Sequence, residues 1–432
     1  MNDAALTALM DLARPQAEGV EVYYLRTQSR PVQFENNRLK SLTTKAVEGV
    51  ALRVIRDGRL GFAASTDLTR LDELVQAALA TATIGDPAEI EFAPAQTLAD
   101  RRPPVTLPTT EALVAIGKDL IEQMHHYNPE ILVDVSLTPG FGEVQILTHA
   151  GATAHYQRQS LSASIGGNWV RGEDFLQIYS YEVTDGQPPD YDRLLKEVMQ
   201  KYTWAATTTS VTGGPMPVLF TPRAVAGVLA GLFESLLSGQ AVVQQATPLA
   251  DKVGQRLFDP QLTLTEDPTL GINARRFDDE CTPTQTQTLI DQGVVQGFYW
   301  DKTWAQRAGC ASTGNGYRGG LSRPAAELVN VCLAPGTTPY ADLVAQMSDG
   351  IIVDQVLGAG QSNQLAGEFS VNLDLGYRVV NGEIVGRVKN TMVAGSVFEA
   401  PIAALSQERE WVGGSVLTPA ILFASLGVAT RS

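Results

Sequence analysis

Apolar and polar residues in the first two hundred positions of the chain fall into two arrays with the same order of periods. Apolar positions three and four apart predict a helix near 3–13. Alternation then predicts strands at 20–26, 31–35, 39–45, 48–56 and 60–65, and a second helix is expected near 68–82. Asp57-Gly58 between two of these strands is the strongest hairpin signal, since such a dipeptide supplies the positive φ angles of a tight turn. The second array has a helix at 111–127, strands near 131–137, 143–148, 153–158, 160–170 and 174–182, and a helix near 191–202. Arg171-Gly172 takes the place of Asp57-Gly58. Five prolines (87, 94, 103, 104 and 108) mark the stretch between the arrays as an extended connector.

Beyond Gly213 the pattern changes. A strand at 217–220 leads into a helix at 224–239, opened by Thr221, whose hydroxyl can cap free amides, and by Pro222, which loses no hydrogen bond in a first turn. Val225, Val228, Leu229, Leu232 and Leu236 form its core stripe. The rest is strand-rich: 261–265, 286–290, 294–300, 327–333, 367–373, 376–380 and 384–388, with tight turns at Asp291-Gln292-Gly293 and Asn381-Gly382. Strands joined by tight turns are antiparallel. The expected fold is therefore α+β: a duplicated helix-plus-antiparallel-strand unit in the N-terminal half, and a largely antiparallel sheet or barrel with helices in the C-terminal half. The expected divisions are 1–84, a linker at 85–109, a repeat-like unit at 110–210, and a β-rich domain at 211–432.

At 432 residues the chain exceeds what one core usually supports, and its net charge of −15 opposes contact with phosphate backbones. Direct nucleic-acid binding is not expected. The N-terminus lacks the basic and long apolar regions of an export signal. The uncharged stretch 411–430 is rich in Gly, Ser and Thr and is broken by Pro419, so it reads as buried strand and not as a membrane helix. A cytoplasmic protein with no membrane partner is the expectation.

Candidate chemistry is sparse among the four histidines and three cysteines. His125 and His126 are adjacent on a packing helix and do not share a face. His149 and His155 flank a turn and could meet across a hairpin, but no third ligand is near in sequence. Cys281, Cys310 and Cys332 are widely spaced and odd in number, which favours buried or free thiols. Asp278-Asp279-Glu280 is read as a solvated loop before a hairpin. Gly314, Gly316 and Gly319 match a dinucleotide fingerprint in spacing, but they follow a helix near 301–308 and lack the strand-to-helix context, so a loop between strands is expected.

The order of several motifs resembles one family. These are Lys252-Val253-Gly254, Phe277-Asp278-Asp279-Glu280, Ser312 to Arg318, Gly367-Glu368-Phe369-Ser370, Asn381-Gly382-Glu383-Ile384 and Gly413-Gly414-Ser415-Val416. Together they are similar to the TldD/PmbA family of metallopeptidase-related proteins, whose older name is modulator of DNA gyrase. In the TldD-like branch a His-Glu-x-x-x-His helix and a later Cys hold zinc. Laid over this chain, the two His positions fall on Phe233 and Ser238, the Glu on Glu234 and the Cys on Gly413. Phenylalanine, serine and glycine offer no donor of zinc-ligand strength. The resemblance is thus to the PmbA (TldE)-like branch, which lacks the zinc motif.

What the resemblance implies is a zinc-site-degenerate subunit with no cofactor of its own, paired with a TldD-like zinc-bearing paralogue in a heterodimer that acts on unfolded or modified peptides. Asn315, Tyr317 and Arg318 match a motif placed near the family's chamber and are the candidate substrate contacts. An exposed sheet edge could accept an extended peptide. Two alternatives stay open: an active metal-dependent peptidase using Glu234 with Asp or His residues from elsewhere, and a homodimer that binds peptide without cleaving it.

Overall fold

The computed structural model describes residues 3–100, 102–359 and 363–430. A mixed α+β fold results, with an N-terminal antiparallel sheet carrying helices and a C-terminal sheet that closes into a barrel.

The strands of both N-terminal arrays belong to one nine-stranded sheet. At its centre run two long antiparallel strands, Ile131–Thr148 and Ala152–Arg171, each of which the sequence pattern had divided in two. The first division falls at Pro139. There the neighbour on the strand's outer edge changes from Val32–Glu35, paired at 135–137, to Gly19–Ser29, paired at 140–148. A residue without an N–H is tolerated at such a change of partner. On the far side, Ala152–Arg171 is shared between Gln96–Asp100, inside the proline-rich connector, and Asp174–Thr184. The hairpin at 57–58 forms as expected, with both residues at positive φ (51° and 66°).

Helices Asp3–Ala13 and Leu71–Ala82 cover one end of one sheet face, burying Leu6, Leu9, Leu74, Val75 and Leu79 against Val20, Val22, Val50 and Leu52. Thr110–Tyr127 and Tyr191–Ala205 cover the rest. Tyr191–Ala205 also faces the C-terminal half, where Leu219, Ile352, Tyr377 and Leu422 of the barrel's outer wall join the same core as Leu120, Leu194, Val198 and Tyr202.

The barrel is a ring of five strands: Gly214–Phe220, Asp349–Leu357, Glu368–Val380, Thr391–Ser396 and Val416–Thr430. Phe220, Phe369 and Phe423 meet edge to face inside it. Its strand Glu368–Val380 joins two expected strands. The expected strand 294–300 forms only at Val294–Val295, and Asp349–Leu357 had no counterpart in the sequence reading.

Candidate active site

The motif helix is capped as the sequence predicts: Thr221 Oγ1 accepts from the Ala224 N–H at 3.3 Å, and Pro222 opens the first turn. The helix is not regular. Ala226–Ala230 forms a wide π-helical turn between Pro222–Val225 and Gly231–Leu237, and at Ser238 the backbone becomes extended (φ −70°, ψ 128°) before a last turn at Gly239–Val243. A π turn inserts one residue and rotates all that follows, a device frequent at functional sites.

Phe233, Glu234 and Ser238 lie together at the far end of this helix. The Phe233 ring is 1% exposed and meets Phe258 edge to face at 6.0 Å, and Phe258 packs on Phe398 at 5.1 Å. Ser238 bridges the strand segment at Tyr299, with Gly239 donating its N–H to the Tyr299 carbonyl at 2.9 Å. The Tyr299 hydroxyl donates to the Glu234 backbone carbonyl at 2.9 Å. Burial, reinforced by Glu327, pushes the Glu234 carboxyl above its ordinary range. Gly413 stands apart in the turn between Ile402–Val412 and Val416–Thr430, at φ 62°; among the described residues no hydrogen bond joins it to the helix.

The candidate loop at 315–318 points inward. Asn315 is 1% exposed and uses its amide in full: Nδ2 donates to both Glu266 oxygens (2.9 and 2.8 Å) and to the Glu327 carbonyl (2.9 Å), while Oδ1 accepts from Gln287 at 3.1 Å. The Tyr317 hydroxyl donates to the Gly314 carbonyl at 3.0 Å. Arg318 donates to Glu21 and, at 3.0 Å, to the Ser322 carbonyl, and its guanidinium lies 4.4 Å from the Tyr23 ring centre. Gly314, Gly316 and Gly319 lie in this loop and not between a strand and a helix.

The expectation of a solvated acidic loop is overturned. Asp278, Asp279 and Glu280 are 0%, 1% and 1% exposed, and they seat the C-terminal half on the uncovered face of the N-terminal sheet. Asp278 folds the loop by accepting from the N–H groups of Glu280, Thr282 and Gly316 at 2.8–2.9 Å. Asp279 accepts from the Tyr156 hydroxyl (2.8 Å) and the Arg318 N–H (2.9 Å). Glu280 accepts from Arg53 at 3.1 Å and from the Lys302 N–H at 2.9 Å. Arg53 also grips Glu21 with two bonds of 2.8 and 2.7 Å. Burial and the neighbouring Glu280 push the Asp278 carboxyl up to about 8, against the three backbone donors. Burial would raise Glu21 too, but Arg53 and Arg318 outweigh it and hold that carboxyl below its ordinary value. Run-of-charge reasoning missed this clamp because Arg53 arrives from a strand more than two hundred positions away.

The histidines do not assemble. His149 Nδ1 accepts from the Val20 N–H at 3.3 Å, while His155 pairs with Glu143 at 3.0 Å, so the two take different partners. His126 contacts the Glu122 carbonyl on its own helix. Cys281 and Cys332 are buried free thiols and Cys310 is exposed. Among the described residues, no three His, Cys, Asp or Glu side chains are arranged to hold a metal, and no helix is long and apolar enough to cross a membrane.

Comparison with known proteins accords with this architecture. Residues 213–430 match the model of the PmbA/TldA metallopeptidase C-terminal domain, and residues 20–82 match that of PmbA/TldA metallopeptidase domain 1. The chain is 26% identical to a Metalloprotease TldD homolog of Haemophilus influenzae, across 88% of this chain and 83% of that one. It is 23% identical to Metalloprotease PmbA of Escherichia coli O157:H7, across 91% and 88%. In fold it is similar to TldE from Thermococcus kodakarensis, with a TM-score of 0.88 at 24% identity over 98% of this chain and 100% of that one.

Proposed function

Because this chain belongs to the PmbA/TldD metallopeptidase family, we propose that it is the non-catalytic subunit of a TldD/TldE-type heterodimeric peptidase acting on unfolded or modified peptides. The observation that carries the reading is the position of Phe233. Where the family's zinc helix would present its first histidine, this chain turns a phenylalanine into an aromatic stack with Phe258 and Phe398. Ser238, at the second ligand position, is tied by its backbone to the Tyr299 segment, and Gly413 has no side chain. These residues do not fit a zinc ion, which needs about three nitrogen, sulfur or carboxylate ligands and an open position. No step through a metal is therefore assigned to this chain, and the metal belongs to the partner in this reading. The likeness to a TldE fold accords with such pairing.

Elemental analysis of the purified chain, a peptide-cleavage assay on the same sample, and native mass spectrometry with a TldD-like partner test the proposal together. The expected results are zinc well below one equivalent, no cleavage by the chain alone, and a one-to-one complex that cleaves. Near-stoichiometric zinc with chelator-sensitive cleavage by the chain alone would overturn it.

A further inference from the structure

A cavity of about 790 Å³ opens between the N-terminal sheet and the outer wall of the barrel, at the opposite end of the motif helix from Glu234. One wall is the strand Asp174–Thr184, which among the described residues pairs only with Ala152–Arg171 and has its other edge open. Along that edge, backbone groups of alternate residues point outward. Two of the outward carbonyls are already taken by side chains from the C-terminal half: Gln177 O accepts from Gln355 at 3.3 Å and Tyr179 O from Arg223 at 2.6 Å. By the same alternation, the N–H and C=O of Tyr181 and Val183 face outward, and both residues line the cavity. Among the described residues, no backbone partner meets them there.

The charges around the cavity are unevenly satisfied. Its cations are engaged: Arg193 with Glu182 at 3.1 Å, Lys201 with Asp354 at 2.9 Å, Arg223 as above, and Arg409 with the Leu333 carbonyl at 3.4 Å. Glu410 and Asp185 line the same space and form no ion pair among the described residues. Burial and the neighbouring carboxylate Glu197 push the Glu410 carboxyl above the ordinary range, against the nearby Lys201 and Arg193. Trp204, Tyr340 and Trp411 add aromatic surface.

We propose that this cavity binds an extended peptide segment that adds to the sheet at Tyr181 and Val183 and places a lysine or arginine side chain against Glu410. An open strand edge recognises such a segment by backbone hydrogen bonds, with side-chain surroundings setting preference. The volume lies within the roughly 300–1,000 Å³ usual for ligand pockets. Glu410 forms no ion pair among the described residues, and with Lys201 held by Asp354 and Arg193 by Glu182 it is the carboxylate placed to meet a peptide cation. The site lies apart from the motif helix's degenerate end and needs no second subunit, so it stands or falls independently of the peptidase reading.

The test is fluorescence anisotropy with the full chain and a labelled seven-residue peptide of alternating valine and lysine. Two counterparts accompany it: one N-methylated at every backbone amide, which keeps all side chains and removes every N–H donor, and one with glutamate in place of lysine. The expected result is saturable binding of the parent peptide, at least tenfold weaker for either counterpart. Val183→Pro should weaken parent binding at least tenfold, since proline is tolerated on a strand edge but removes the outward N–H. Glu410→Gln, which leaves the backbone intact, should weaken the lysine peptide and narrow its advantage over the glutamate peptide. Absence of binding by the parent peptide, equal binding of the N-methylated peptide, or indifference to Glu410→Gln would overturn the proposal.

Discussion

Arg53→Met is the most informative single perturbation of the fold. The arginine is 5% exposed and holds two carboxylates, Glu21 on the neighbouring strand and Glu280 from the C-terminal half. Methionine keeps most of the side chain's volume and removes the charge. Glu21 retains Arg318, but Glu280 is left with only the Lys302 N–H among its donors. Removing one partner of a buried ion pair costs about 3–5 kcal/mol, because a desolvated charge stays behind. That is a large share of the roughly 5–15 kcal/mol that stabilises a folded domain. Urea unfolding followed by tryptophan fluorescence would read the loss, and hydrogen exchange along Lys45–Arg56 would locate it. Adding Glu280→Gln should restore part of it, with a coupling of about 0.5–3 kcal/mol between the two sites.

The pH dependence gives an independent check on sign. In the intact protein the folded Glu21 carboxyl lies below its ordinary value of 4.5, so the native state binds fewer protons than the unfolded chain. Its contribution is present above about pH 4.5 and is lost as pH falls through the folded value. Arg53→Met removes the first of the cations that hold Glu21 down, so the variant's deficit should shrink as pH falls below about 4.5. A loss below about 1 kcal/mol, or a deficit that grows on acidification, would refute the view that this cluster is a charge-paired clamp between the two halves.

Other consequences follow from single sites. Phe233→Ala should destabilise the protein by about 3–5 kcal/mol in thermal or urea unfolding, as expected for a large buried aromatic; a loss under about 1 kcal/mol would mean the ring is not part of the core. Phe233→His with Ser238→His should still take up well under one equivalent of zinc by elemental analysis, because position 233 faces Phe258 and Gly413 supplies no thiolate. Asp301 caps the helix Lys302–Ala308 by accepting from the Trp304 N–H at 2.8 Å, yet burial and Glu280 push its carboxyl up to about 6 from 3.8. With a raised folded value, the favourable contribution is full below about pH 3.8 and fades as pH rises through about 6, so Asp301→Asn should flatten stability across that window in pH-dependent urea unfolding. Gly61→Ala should weaken the sheet and raise hydrogen exchange along Arg59–Ser65, since a Cβ there would sit 2.1 Å from the Ala78 carbonyl oxygen.

What could be read from the sequence was what local periodicity encodes. The hairpin at Asp57-Gly58, the Thr221-Pro222 helix start and the antiparallel character of both halves all follow from short-range rules, and all are present. Strand lengths failed where a local break signal has a non-local remedy. Pro139 looks like an end, but it falls where the neighbouring strand changes and no ladder bond is required of it. The acidic run at 278–280 failed for the complementary reason. Three adjacent carboxylates are costly to bury alone, so a local reading places them in water; Arg53 and Tyr156 lie in the N-terminal half and reverse that balance only once the two halves meet. The same logic bears on the motif helix. A phenylalanine at position 233 carries no local sign of its surroundings, and only its stack with Phe258 and Phe398 fixes it in the core. The helix's π turn and its extended break at Ser238 are held by core packing and by the Tyr299 segment, neither of which lies within the helix's own sequence.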